Sequence, residues 1–385
     1  MSPEVVKERP PNGREAAPLP DRDDSGGSPV STTNRAGKPA AKPQPLAGFV
    51  FPFGPGGNPA EVDLWLLNSS GGKDSQEMVR AAADRLREAG LLDRLITERR
   101  IWVQHNGLGD DPHDGVEWAG TCELAAEQAA RYGLPFIVTR RDGPDLIDDI
   151  AARRRIDGSP RGFPRLQFRF CTREHKTAPS ERFIRAQGAQ LGVTGRPMVV
   201  VQTFGFRAAE SPRRASRPVW SFNPRASTLH TRKVYDWLPI HELSTDQVWA
   251  GIRAAGVPYH PAYKNLGMSR LSCRMCVLAG ERDLLISARA NPGTAQRILA
   301  VEQATGMPFQ DNRTMAQIIA KAGPASPFRV TWVPCPICGV RVLIQDGDPD
   351  RHCPAHAATG PWDQHHRDRL GGCIAQATLF DLETA

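Results

Sequence analysis

No run of about eighteen consecutive apolar residues occurs anywhere in the 385-residue chain, which speaks against a membrane-spanning helix. Met1 is followed by no apolar stretch of the kind a secretory signal needs, so the expectation is a cytoplasmic protein without a membrane partner. In that compartment the eight cysteines read as thiols or metal ligands rather than as a disulfide framework. Internal repeats are absent. Residues 1–45 have almost nothing to bury, since proline, glycine, serine and charge dominate there, and they read as a disordered tail. Acidic residues are the minority charge, 42 against 49 Lys and Arg, and the net +7 favours an anionic partner, nucleotide and nucleic acid fitting equally well.

What is present from about residue 60 is alternation. A strand at Leu64 to Leu67 is followed by a helix from Ser75, with Met78, Ala82 and Leu86 on one face and Gly90 at its end. Strands near "RIWVQ" and at "PFIVT" bracket a helix in "TCELAAEQAARYG". Helices near "DLIDDIAARRR" and in "PSERFIRAQGAQLG" precede the buried strand "PMVVVQTFG". This order predicts an α/β fold, a parallel sheet with helices on both faces and its site at the carboxyl ends of the strands. From Tyr235 the texture changes to an entry segment, a helix capped by Ser244 or Thr245, and a mainly helical region ending near Gly323. The expected domains are a tail at 1–45, a nucleotide-loop domain at 60–323 and a small terminal module with its tail at 331–385.

Between the first strand and its helix stands "SGGKDS", residues 70–75. The GxxxxGK[ST] spacing of a Walker A loop is absent. Strand, glycine loop and helix in that order still make an anion cradle, because N–H groups at a helix N-terminus point into the loop. Ser70, Gly71, Gly72 and Ser75 offer N–H and hydroxyl donors, Lys73 adds a point charge expected to contribute little to packing, and Asp74 caps the helix or helps hold Mg2+. A second anion-handling stretch runs from Arg207 to Lys233, where Arg207, Arg213, Arg214, Arg217, Arg225, Arg232 and Lys233 face the single acid Glu210. Guanidinium groups clamp phosphate or sulfate with paired N–H bonds, so this stretch is a candidate clamp. His105 and Asn106, placed just past the second strand, are weaker site candidates.

The cysteines fall into two groups and two outliers. Cys273 and Cys276 form a C-x-x-C pair, and with Cys171 they could hold an iron–sulfur cluster with one open iron, or a metal completed by another ligand. Cys335 and Cys338, then Cys353 and His356 after fourteen intervening residues, fit one tetrahedral Zn2+ closing a hairpin too small to fold alone. Such a ribbon serves nucleic acid, a protein partner or the fold itself. Cys122 reads as core, Cys373 as the late cysteine outside the metal pattern, and His365 and His366 as parts of a solvated tail.

These motifs resemble the phosphoadenosine phosphosulfate (PAPS) reductase-like branch of the adenine nucleotide α-hydrolase superfamily. "SGGKDS" looks like its pyrophosphate loop, "RFCTREHK" (169–176) like its arginine, cysteine and lysine segment, and "GFRAAESPRR" (205–214) like its G-x-R-x-x-E-S segment. "HPAYKNLGMSRLSCRMCVLAG" (260–280) resembles its cysteine-bearing end. The resemblance implies a site in which Lys176, Arg207 and Glu210 line the nucleotide, with Lys73, Asp74, Lys176 and Arg207 carrying catalysis. It implies ATP or PAPS as the nucleotide, and thioredoxin or a sulfur-donor protein as partner, with a nucleic acid as an acceptor. The chain departs from the cluster-bearing reductases at Thr172, where they double the cysteine, and it has no E-C-G-L-H tail to supply a nucleophile. That departure points to ATP activation coupled to sulfur transfer, as in DNA phosphorothioation systems. Sulfonucleotide reduction is the alternative, and a nucleic-acid-binding protein with a degenerate nucleotide site is the second alternative.

Overall fold

The computed structural model describes residues 61–157, 162–228, 230–354 and 356, with side chains for all of these but 154–157. The tail at 1–45, Cys373, His365 and His366 lie outside the described residues. Six strands form one sheet: β1 (Leu64–Ser69), β2 (Ile101–Gly107), β3 (Phe136–Arg140), β4 (Met198–Thr203), β5 (Trp220–Phe222) and β6 (Arg232–Trp237). Their order is β3-β2-β1-β4-β6-β5, parallel throughout except for β5, which runs antiparallel to β6 at the edge. The central strand "LWLLNS" opens with four buried apolar residues, as a strand covered on both faces does. Trp65 and Leu67 pack into one core with Met78, Ala82 and Leu86, and Leu64 and Leu66 into another with Ile184, Val200 and Val234.

The covering helices are α1 (Lys73–Glu88), α2 (Leu92–Thr97), α3 (Thr121–Ala130), α4 (Leu146–Asp157) and a short α5 (Phe170–Thr172). A π-helical turn, Arg173–Thr177, joins α5 to α6 (Ala178–Gln190). After β4 come a one-turn α7 (Pro212–Ala215), α8 (Thr245–Ala255) and α9 (Ala262–Asn265). A helical region follows, α10 (Glu281–Ala290), α11 (Pro292–Thr305) and α12 (Met315–Ala322), and β7 (Val330–Pro334) pairs with β8 (Arg341–Gln345) in a terminal hairpin. Among the described residues no helix is long and apolar enough to cross a membrane.

Several boundaries differ from the sequence reading. α1 begins at Lys73, so the lysine and aspartate of the motif belong to the first helical turn. Ser244, not Thr245, caps α8, its hydroxyl accepting from the Gln247 N–H while Gln247 returns a bond to the Ser244 N–H. The end of the basic run is strand: Arg232 and Lys233 open β6 and pair with Met198 and Val199 at the amino end of β4. They therefore lie at the end of the sheet opposite the glycine loop, and the clamp expected of them is not formed. His105 and Asn106 lie inside β2 rather than past it.

Candidate active site at the carboxyl edge of the sheet

β1 sends its chain one way to β2 and β3, and the later strands β4 and β6 lie on its other side. The crevice between the carboxyl ends of β1 and β4 is thus the point where strand order reverses, the place where open α/β sheets take ligands. "SGGKDS" follows β1 and "GFRAAES" follows β4, so the two anion-handling motifs face one another across that crevice. Their contact is close: a Cβ on Gly205 would lie 2.6 Å from the Asp74 carbonyl oxygen, and only glycine lets the two backbones approach so far.

The loop is held by hydroxyl groups. Ser70 N–H donates to Ser75 Oγ at 3.1 Å, Gly71 N–H to Ser69 Oγ at 3.2 Å, and Ser75 Oγ–H to the Gly72 carbonyl at 2.9 Å. Gly71 has a φ of 69°, a left-handed conformation, and a Cβ there would lie 2.8 Å from Thr121. Lys73 N–H donates to the Tyr263 hydroxyl at 3.1 Å, and Leu271 N–H donates to the same oxygen at 3.0 Å. Three loop N–H groups thus end on hydroxyls, where the sequence reading had them free for an anion.

Lys73 is only 4% exposed. Its Nζ donates to Asp74 Oδ2 at 3.0 Å and to the Ser269 carbonyl at 3.1 Å, so it is packed rather than dangling, against the expectation that a loop lysine adds little to packing. Asp74 makes no capping bond; its other oxygen accepts from Arg207 Nε at 2.7 Å. Arg207, 3% exposed, also donates to the Leu243 carbonyl and Thr245 Oγ1. Glu210 turns away from the crevice: it accepts the Arg207 backbone N–H and pairs with Arg214. Arg214 and Arg217 stand over the Phe206 ring, 4.4 and 5.3 Å from its centre. Arg213 and Arg225 are, like these two, on the surface side of the same segment.

His105 ties the loop to the segment behind it, its Nδ1 meeting the Ser69 carbonyl at 3.1 Å and its Nε2 meeting Glu117 Oε1 at 2.9 Å. Asn106 Oδ1 accepts from Gln104, Thr139 and Ser180. Four residues here carried no signal of their own in the sequence: Glu117, Thr121, Tyr263 and His260. Thr121 Oγ1 is buried with no hydrogen-bond partner among the described residues. His260 is fully buried; Nε2 meets the Ala119 carbonyl and Nδ1 accepts the Ala262 N–H, a pattern that requires the neutral ring. Burial pushes its pKa down to about 4.

The three central cysteines, a hundred residues apart in sequence, line one apolar cavity with Val116, Ile147 and Phe309. Cys171 enters on α5 just before the π turn, a distortion common at functional sites. That turn is anchored by His175, whose Nε2 lies 2.9 Å from Asp149, itself paired with Arg153 and Arg141. Cys273 and Cys276 are fixed by Arg274 between them, which is buried and donates to the carbonyls of Gly115 and Pro112 and to Thr294 Oγ1. Burial lowers its pKa to about 10. Burial also pushes the Cys273 thiol up to about 12 and raises Cys171, with Lys176 opposing both rises. Burial works against the Lys176 charge too, but Cys273, Cys276, Glu117 and Cys171 outweigh it and its pKa is raised.

Among the described residues, the group of three or more ligating side chains close enough for a single ion is Cys335, Cys338, Cys353 and His356, whose ligand atoms all lie within 4.8 Å of one another. The central three line the apolar cavity instead. They supply three of four thiolates, and Thr172, exposed and without sulfur, cannot supply the fourth. Cys122, half-buried on α3 with its thiol pushed up to about 12 by burial, stands apart from both sets.

An open, mostly parallel sheet with a glycine loop opening a helix beside the switch point defines an α/β protein whose crevice lies at the carboxyl edge. The chain belongs to the phosphoadenosine phosphosulfate reductase domain family, which matches residues 66–279. The adenosine 5'-phosphosulfate reductase of Allochromatium vinosum is 29% identical over 159 residues, 41% of this chain and 54% of that protein. The chain thus spans about half the length of that curated relative. Among solved structures, phosphoadenylyl-sulfate reductase from Candida auris in a phosphate complex is 15% identical, over 54% of this chain and 80% of that one, with a TM-score of 0.33. FMN adenylyltransferase of Candida glabrata, with FMN and an ATP analogue, is 13% identical over 55% of this chain and 53% of that one, with a TM-score of 0.29.

Proposed function

We propose that this chain is a cytoplasmic adenine-nucleotide enzyme that works at the α-phosphate of Mg-ATP, activating an acceptor with release of pyrophosphate in a sulfur-transfer reaction. The observation that carries this reading is Asp74 held between Lys73 and Arg207 at the mouth of the crevice. Asp74 would be the carboxylate to hold Mg2+, which when bound would supply charge neutralisation at the phosphates, and Lys73 and Arg207 beside it would supply cations for phosphate oxygens. Ser70, Gly71, Gly72 and Ser75 then face the phosphates, with Arg207 steadying the α-phosphate. The cavity thiols Cys171, Cys273 and Cys276 would hold an iron–sulfur cluster, which when bound supplies a site for sulfur or electron handling. Zn2+ belongs to the terminal set, and the domains divide at about residues 60, 323 and 331.

A second reading, reduction of PAPS or adenosine phosphosulfate with thioredoxin, is favoured by the same three thiols, two of which, Cys273 and Cys276, closely follow Leu271, the residue packed on Gly72. Supplying the protein with Mg-ATP, and separately with either sulfonucleotide and thioredoxin, and following pyrophosphate and sulfite decides between them. Pyrophosphate release is expected and should vanish in Asp74→Asn. Sulfite from a sulfonucleotide without ATP turnover overturns the proposal in favour of the second reading. Anaerobically prepared protein should carry iron and acid-labile sulfide; colourless protein containing zinc alone removes the cluster.

A further inference from the structure

The terminal hairpin has the geometry of a metal knuckle. Cys335 Sγ and His356 Nδ1 lie 3.7 Å apart, Cys338 and Cys353 Sγ 3.7 Å, and Cys353 Sγ and His356 Nδ1 3.3 Å. A tetrahedral zinc with bonds of about 2.3 Å to sulfur and 2.0 Å to nitrogen has edges of about 3.8 Å between sulfurs and 3.5 Å between sulfur and nitrogen. The sulfur pair is far beyond the roughly 2.05 Å of a disulfide. Little else would hold the hairpin shut, since the cluster around the ligands adds only Val342 and Ile344 as buried apolar side chains while Leu343 packs outward on Gly120, and an isolated two-stranded hairpin is marginal in water.

This hairpin rests on two of the pieces of the molecule that touch the glycine loop. Leu343 of β8 covers Gly120, so closely that a Cβ there would lie 2.8 Å from it. The next residue, Thr121, is the one packed on Gly71. On the other side Asp348 and Asp350, in the segment leading to Cys353, pair with Lys264 at 3.6 and 3.1 Å, and Asn265 donates to Asp348. Their neighbour Tyr263 accepts the Lys73 N–H. Two contact chains, Leu343–Gly120–Thr121–Gly71 and Asp350–Lys264–Tyr263–Lys73, therefore run from the hairpin to opposite ends of the same loop.

We propose that a zinc ion held by Cys335, Cys338, Cys353 and His356 fixes the glycine loop from a distance, by pinning the hairpin whose strand and turn brace Thr121 and Tyr263. The proposal rests on the reading of the terminal set as a zinc site, and it stands apart from which nucleotide the loop takes. Leu343 and Lys264 are positioning residues in this scheme.

The full chain is purified without chelator, its metal content measured, and backbone hydrogen exchange followed before chelation, after chelation and after zinc is returned. One zinc per chain is expected. On its removal, exchange in residues 70–76, 119–124 and 262–271 should rise about tenfold or more, while β2 and β3 change little; returning zinc should restore protection. Leu343→Ala should keep its zinc and still loosen 70–76, separating the brace from the ion itself. Absence of zinc overturns the metal reading and the brace together. Zinc that leaves with exchange in 70–76 unchanged overturns the brace alone, as does exchange that rises everywhere alike.

Discussion

Lys73 sits between Asp74 and the Ser269 carbonyl with almost no solvent contact, so its removal has a structural cost beside any effect on a ligand. Lys73→Ala removes a buried stem together with its bonds to Asp74 and Ser269 and should lower stability by about 1–3 kcal/mol, read from urea midpoints. Lys73→Met, which keeps the stem and removes the charge, is the better probe of nucleotide affinity by calorimetry. His260 makes a prediction about pH. Its folded pKa is about 4 and its ordinary value 6.5, so the unfolded chain binds the extra proton between those limits. Stability is complete above about pH 6.5 and is lost as pH falls toward 4, with a slope of up to about 1.4 kcal/mol per unit. Unfolding of the wild type and His260→Gln at pH 7 and 5 should show the slope in the first and little of it in the second. Lys176 makes a third, because its charge holds down thiols that burial raises. Lys176→Met should slow alkylation of Cys171 and Cys273 about tenfold at fixed pH and move the pH profile upward. An unmoved profile would remove Lys176 from the cavity's electrostatics.

At the scale of elements, Gly71 and Gly90 form a matched pair. Both have positive φ, 69° and 66°, but only Gly71 has a neighbour where a side chain would go. Gly90→Ala should cost about 1 kcal/mol of backbone strain, whereas Gly71→Ala must also displace Thr121 and should cost distinctly more, checked by paired thermal melts. Much of the sheet was legible because its strands are apolar throughout and its helices amphipathic: β1, β3, β4, α1 and α3 were readable within a few residues. β6 was not, since "RKVYDW" begins with two cations that continue a basic run, and only pairing with β4 makes that stretch a strand. α2 is six residues long, too short for a periodicity to show. In the site the motifs marked the loop, the arginine segment and the cysteines. The bonds that hold Lys73, Asp74 and Arg207 were not readable, because Tyr263 and Ser269 reach the first, Arg207 the second and Leu243 the third by contacts that sequence spacing cannot express.

In the molecule as a whole, part of what braces the loop comes from far along the chain. Tyr263 follows Lys73 by 190 residues, and Leu343 lies later still. A ribosome adding about 5–20 residues per second needs roughly 10–40 s to cover the stretch from Lys73 to Tyr263. During that interval β1 and α1 exist as a nascent segment whose glycine turn has neither Thr121's backing secured nor a hydroxyl for the Lys73 amide. Stalled chains released before residue 263 should therefore retain helix yet fail to capture nucleotide, and a bound nucleotide cannot act as an early folding template. The loop is among the first functional pieces synthesised and among the last to acquire its shape.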